Sequence, residues 1–143
     1  MSDGKWLEGQ VKKLFDEESK QIKFSYERLY DARAARGKFQ PQPSDFLVNC
    51  TGPSGPRSVY IECKETESDS QISLGDFPQF PRMKVKMLAG AGGILVVYHT
   101  KTKKFRVVPL SSFPLSTSVF KLEPFGFQGL EFLLKACYRW EWD

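Results

Sequence analysis

Residues 58–64 read SVYIECK, and this stretch decides the fold because apolar and polar side chains alternate along it. Successive side chains of a β-strand point to opposite faces of the sheet. The apolar odd-numbered residues are therefore predicted to face one side, and Tyr60, Glu62 and Lys64 the other. The stretch thus predicts a strand that carries an acid and an amine on the same face.

The residues just before this strand predict its partner. Residues 46–48 read FLV, which indicates a strand, and residues 51–56 read TGPSGP, which is a strong turn signal. The two strands would form a β-hairpin. Asp45 follows a Pro-Ser turn at the start of the first arm, while Glu62 and Lys64 lie on the second arm.

Helix and strand patterns surround the hairpin. The remaining elements are predicted over residues 5–20 (helix), 82–89 (helix), 94–98 (buried strand), 105–108 (strand) and 129–138 (helix). Residues 24–44 show weak periodicity and many cations, so they are interpreted as a long loop. The order helix, strand, strand, helix, strand, strand, helix predicts one α/β domain over residues 1–143, with a mixed central β-sheet flanked by helices.

The composition restricts the class of protein. The chain has 143 residues, 41% of them hydrophobic, which is ordinary for a globular domain. It contains no apolar run of about 18 residues and no apolar core of a secretion signal at the N-terminus, so we expect a cytoplasmic protein. Three widely spaced cysteines and one histidine exclude a site built from several histidines or a C-x-x-C pair.

Positive charge is clustered along the chain. The net charge is +4 and the pI is about 9.0, which favours a polyanionic partner such as DNA, although a merely soluble basic surface explains charge runs equally well. The predicted phosphate-contact residues are Arg28, Arg33, Arg36, Lys38, Arg82 and Lys84.

The acids and the lysine of the hairpin suit metal-assisted phosphodiester hydrolysis. A divalent cation stabilises developing charge and lowers the pKa of a bound water, and Mg²⁺ needs only one or two protein carboxylates. Asp45 and Glu62 are the predicted metal ligands, with the main-chain carbonyl of Cys63 as a further one. Lys64 is predicted to orient the water or stabilise the transition state. Glu8 lies at the edge of the apolar face of the first helix. It is predicted to bind the metal through a water, to position a second metal or to assist Lys64.

These residues resemble the PD-(D/E)xK nuclease superfamily and, more narrowly, the RecU-type Holliday junction resolvases of Gram-positive bacteria and their phages. Residues 4–8 (GKWLE) are similar to the family's G-x-x-x-E helix, and residues 43–46 (PSDF) to its S-T-T-D-Y segment. Residues 60–66 (YIECKET) are similar to its D-F-E-A-K-E-T, and a Gly-Gly-Ile strand start follows at residues 92–94. The resemblance covers roughly residues 4–110.

The resemblance implies a restriction-endonuclease-like core and a homodimeric enzyme that introduces paired nicks into four-way DNA junctions. If the protein is phage-encoded, it would act in the cytoplasm of the bacterial host. It implies Mg²⁺ as the cofactor, with Mn²⁺ as a substitute. Its catalytic set would be Glu8, Asp45, Glu62 and Lys64. Ser44 stands where the family usually has a further acid, and the stalk with which the family enters a junction is at most short here.

Two other functions remain open. A repair or restriction-type endonuclease acting on duplex, flap or single-stranded DNA would use the same residues, and the short stalk favours it. A non-catalytic DNA-binding module would carry the acids and the lysine without using them. In that case Asp45→Asn and Glu62→Gln would change no activity, and calorimetric titration would find no binding of Mg²⁺ or Mn²⁺.

Overall fold

The computed structural model describes residues 5–29 and 44–138, and these residues form three α-helices, two short 3-10 helices and seven strands. The elements are α1 (Lys5–Glu18), β1 (Phe24–Arg28), β2 (Phe46–Gly52), β3 (Gly55–Thr66), β4 (Gln71–Ser73), α2 (Phe80–Leu88), β5 (Gly92–His99), β6 (Lys104–Pro109), β7 (Val119–Lys121) and α3 (Phe132–Tyr138). Over the described ranges, none of the helices has the length and apolar character needed to cross a membrane.

One mixed sheet organises the chain. Its five strands lie in the order β1-β2-β3-β5-β6, and β4 and β7 form a separate pair. β3 and β5 run parallel to each other, whereas the other neighbours in the large sheet are antiparallel. The predicted fold class, a mixed central sheet flanked by helices, is confirmed.

The predicted hairpin is β2–β3. Gly52 pairs with Gly55 across a two-residue turn, and Phe46 pairs with Ile61 at the other end. Gly55 has a φ of 101°, a conformation that glycine adopts without steric cost. β3 is longer than predicted and continues to Thr66, so it extends well beyond the start of β2.

The two faces of the sheet support two separate apolar clusters. On one face, Val59, Ile61 and Cys63 pack with residues of α1 and α3. On the other face, Leu95 and Val97 pack with α2 and with the β4–β7 pair. The predicted alternation along β3 is therefore confirmed, and it places the acid and the amine on the face opposite α1.

The interpretation of residues 24–44 as a loop is wrong for the first five residues, which form β1. Phe24 is buried and Tyr26 is half-buried, whereas Ser25 and Glu27 are exposed. This alternation is too short and too close to charged residues to stand out in the sequence. β4 and β7, which have three residues each, were missed because so short a strand carries no period.

Candidate active site

Asp45 and Glu62 meet where β2 begins beside the middle of β3. Because Phe46 pairs with Ile61, the continuing antiparallel register places Asp45 opposite Glu62. The amide of Asp45 donates to the carbonyl of Ile61 over 3.0 Å. The amide of Cys63 donates to Asp45 Oδ2 over 2.8 Å. The edge of β3 thus holds the Asp45 carboxylate in a fixed position beside the E-x-K segment.

Glu62 is a buried carboxyl with an incomplete set of partners. Its residue is 2% exposed, and Oε2 lies 3.1 Å from Lys64 Nζ. Oε1 is buried and makes no hydrogen bond with any described residue. Burial and then the charge of Asp45 raise the pKa of Glu62 well above its usual range, and the charge of Lys64 only partly opposes them. The site therefore favours a proton, or another cation, on this pair of acids.

Arg28 links Glu8 to Asp45. Its Nη2 donates to Glu8 Oε1 over 2.5 Å, and its Nη1 donates to the main-chain carbonyl of Asp45 over 2.7 Å. Nη1 also lies 3.8 Å from Asp45 Oδ1. β1 brings Arg28 to this place because Arg28 pairs with Phe46 at the end of the sheet. The sequence suggested Arg28 as a phosphate contact, and the structure places it between two of the predicted catalytic acids.

The N-terminus of α1 is attached to β3, and this contact positions Glu8. The amide of Leu7 donates to Glu65 Oε2 over 3.3 Å, which gives a carboxylate partner to a free amide of the first helical turn. Sequence reasoning gave Glu65 no role. The alternation that turns Cys63 towards α1 also turns Glu65 towards it, so the signal was present in the strand pattern.

Asp45 and Glu62 are the described acids that could hold a metal ion at this site. Over residues 5–29 and 44–138, no three or more His, Cys, Asp and Glu side chains form a ready metal-binding group. Asp45 and Glu62 nevertheless form an adjacent pair with one buried oxygen that lacks a partner. Mg²⁺ retains several waters and requires only one or two carboxylates, so this pair meets its requirement.

Cys63 does not act through its side chain. The thiol belongs to the apolar cluster below α1, and burial raises its pKa well above the usual value, so the sulfur stays protonated. The prediction that Cys63 shares one side of the strand with Val59 and Ile61 is confirmed. The role of its main-chain carbonyl as a metal ligand stays a prediction.

Of the other predicted DNA contacts, three lie outside the described residues and two lie on α2. Arg33, Arg36 and Lys38 fall outside the described residues. Arg82 is exposed and Lys84 is half-buried, both on α2. Their contact with DNA stays a prediction.

His99 has a structural role. It is fully buried at the end of β5. Its Nδ1 lies 2.8 Å from the carbonyl of Ser68, and its Nε2 lies 2.9 Å from Arg106 Nη1. Burial lowers the pKa of His99, so the ring is neutral, with Nδ1–H donating and Nε2 accepting. This arrangement anchors the loop that follows β3.

The architecture is shared with a solved structure. The structure of Hjc from Archaeoglobus fulgidus, a Holliday junction resolvase from an archaeal hyperthermophile, matches with a TM-score of 0.53 at 16% sequence identity. The match covers 94% of this chain and 97% of that one. No family model and no curated protein sequence matches the chain. The likeness shows that this chain shares the fold of that structure, a mixed five-stranded sheet flanked by helices.

Removing Arg28 is expected to destabilise the protein. Arg28→Gln leaves the carboxylates of Glu8 and Asp45 without their shared cation, and hydrogen bonds to charged groups contribute about 1.5–3 kcal/mol. We expect the free energy of unfolding to fall by about 1–2 kcal/mol, measured by urea denaturation without divalent metal. Lys12→Gln breaks the exposed pair with Asp16 and serves as the control, with no measurable change expected. Equal losses in both variants would contradict a special role for Arg28.

Proposed function

We propose that this protein is a metal-dependent DNA endonuclease that resolves four-way junctions by paired nicks. One observation carries the proposal: Glu62 is buried beside Asp45 and Lys64, and one of its oxygens has no hydrogen-bond partner among the described residues. An ionised carboxylate in that position costs free energy unless a cation completes the site. The shared fold with Hjc supports DNA junctions as the substrate.

Each residue of the site has a role that its contacts support. Asp45 and Glu62 would hold Mg²⁺ or Mn²⁺, which supplies charge stabilisation and a more acidic bound water. The Cys63 amide keeps the Asp45 carboxylate in place. The Lys64 ammonium, in contact with Glu62, is placed to orient the attacking water or to stabilise charge on the phosphoryl oxygens. Arg28 neutralises Glu8 and holds it near Asp45.

Paired nicks require two copies of this site. The chain contributes one Asp45–Glu62 pair among its described residues, whereas resolution cuts two strands of a nearly twofold-symmetric junction. A C2 homodimer supplies two equivalent sites related by the same symmetry as the substrate. We therefore include a homodimer in the proposal.

A substrate panel tests the proposal. A labelled synthetic four-way junction is incubated with Mg²⁺ or Mn²⁺ beside a linear duplex, a flap and a single strand of matching sequence. We expect symmetric paired nicks in the junction only, and none with Asp45→Asn. Equal cutting of duplex and junction would favour a repair or restriction-type endonuclease. DNA binding without cutting in either metal would favour a non-catalytic binding module.

A further inference from the structure

Asp45 lies between two acid–cation pairs. Glu62 and Lys64 form the first pair, in which Oε2 and Nζ are 3.1 Å apart. Glu8 and Arg28 form the second pair, in which Oε1 and Nη2 are 2.5 Å apart. Asp45 stands opposite Glu62 in the continuing strand register, and its Oδ1 lies 3.8 Å from Arg28 Nη1. The Asp45 carboxylate therefore borders both pairs.

The two pairs lie on different faces of the sheet. Arg28 is the cross-strand partner of Phe46, which packs in the apolar cluster with α1. The guanidinium lies over the Phe46 ring, 5.2 Å from its centroid, and Glu8 reaches it from α1 itself. Glu62 lies on the opposite face, because the residues on either side of it in β3 pack in the α1 cluster. The two pairs thus approach the same aspartate from opposite faces.

The first pair has an oxygen that lacks a partner, whereas the second pair has its cation firmly in place. Glu62 is buried, and its Oε1 makes no hydrogen bond with any described residue. Arg28 Nη2 donates to Glu8 Oε1. Its Nη1 donates to the main-chain carbonyls of Leu29 and Asp45 over 2.5 and 2.7 Å. A guanidinium keeps its charge at any physiological pH, so this side of Asp45 carries a fixed positive charge.

The charges of the site agree with a single divalent ion. With every group ionised, three carboxylates and two cations give a net charge of −1; they are Glu8, Asp45, Glu62, Arg28 and Lys64. One divalent ion brings this charge to +1, which matches a phosphodiester of charge −1. A second ion would bring it to +3, and uncompensated charge is costly where the groups are partly buried.

We propose that Arg28 takes the place of a second metal ion, so that the site binds one divalent cation per chain. In two-metal sites the ions lie about 3.5–4 Å apart. A second ion that shared Asp45 with the first would have to displace the guanidinium from both Glu8 and Asp45. Glu8 therefore anchors Arg28 and is not a metal ligand, and Arg28 is a positioning residue that acts through Asp45. The inference rests on the proposed nuclease function, to which it adds the number of metal ions and the role of Glu8.

Counting bound Mn²⁺ ions tests the inference. The protein without DNA is titrated with Mn²⁺ at about 0.1 M salt, which screens weak surface sites, and the free ion is followed by electron paramagnetic resonance. We expect one bound ion per chain in the wild type. Arg28→Gln uncovers Glu8 and one side of Asp45, so it should bind a second ion, and Arg28→Gln/Glu8→Gln should return to one. Arg28→Lys keeps the positive charge and should keep one ion. The matched control Lys12→Gln, which removes an exposed cation from α1, should also bind one.

Any wild-type count other than one would overturn the inference, and so would a single ion in Arg28→Gln or a second ion in Lys12→Gln. Glu8→Gln alone repeats the test if Arg28→Gln unfolds early in a thermal melt. It should still bind one ion, and loss of that ion would make Glu8 a metal ligand and end the inference. A wild type that cuts junctions with two bound ions ends the inference on Arg28 alone. A wild type that binds one ion but never cuts ends the nuclease proposal, whereas the counts in the variants still decide the role of Arg28.

Discussion

Glu62→Gln is expected to reduce junction cleavage by at least about 10³-fold. Metal binding supplies several kcal/mol of transition-state stabilisation, and every 1.36 kcal/mol corresponds to about a factor of ten in rate. The neutral amide removes a metal ligand and the partner of Lys64, while it preserves the size of the side chain. The rate is measured in single turnover with the enzyme in excess over a labelled junction, in saturating Mg²⁺.

Glu62→Gln is expected to lower the cleavage rate without lowering the stability of the metal-free protein. The pKa of Glu62 is raised by burial and by Asp45, so the folded protein already favours an uncharged group at this position. A neutral amide is therefore expected to leave the metal-free protein as stable as the wild type, with unchanged affinity for the junction in EDTA. Glu131→Gln, an exposed acid just before α3, is the matched control and should cut at the wild-type rate. A Glu62→Gln rate within about tenfold of wild type would remove Glu62 from the proposed chemistry.

The hairpin and its acids could be predicted from the sequence because their signals are local. Period-two alternation over residues 58–64 fixes which side chains share a face, and the glycine-proline turn fixes the pairing of the two strands. Together they bring Asp45 opposite Glu62 without any knowledge of the rest of the chain. The resemblance to junction resolvases used the same residues, and the fold class it implied agrees with the fold shared with Hjc.

The parts that the sequence did not reveal depend on tertiary placement. Arg28 contacts Glu8 and Asp45, which lie 20 and 17 positions away, and no local pattern selects these partners. The alternation placed Glu62 on one face, but its burial results from the apolar cluster of α2 and the β4–β7 pair beside it.

Glu62 is expected to make stability depend on pH in two ways. As pH rises, the metal-free protein becomes less stable, whereas the stabilisation by Mg²⁺ increases. Between the ordinary carboxyl pKa of 4.5 and the raised pKa of Glu62, the folded state keeps a proton that the unfolded state has released. The unfolded state then binds fewer protons, so the stability of the metal-free protein falls as pH rises through this window. Mg²⁺ requires the ionised carboxylate, so the stabilisation it gives grows over the same window.

Thermal melts from about pH 5 to 8, in EDTA and in Mg²⁺, measure both effects. At a hundredfold excess over Kd, a ligand specific for the folded state adds about 2.7 kcal/mol, which raises Tm by roughly 8 °C for a domain of this size. We expect this gain to increase with pH in the wild type and in Glu131→Gln. Glu62→Gln should lose the metal-induced gain and the pH slope that Glu62 causes, because it can neither titrate nor offer a second carboxylate oxygen. An equal Mg²⁺ response in Glu62→Gln, or a response that shrinks as pH rises, would mean that the ion binds elsewhere. Loss of both effects in Glu62→Gln alone would tie the metal, the buried proton and the unpartnered oxygen to one carboxyl group.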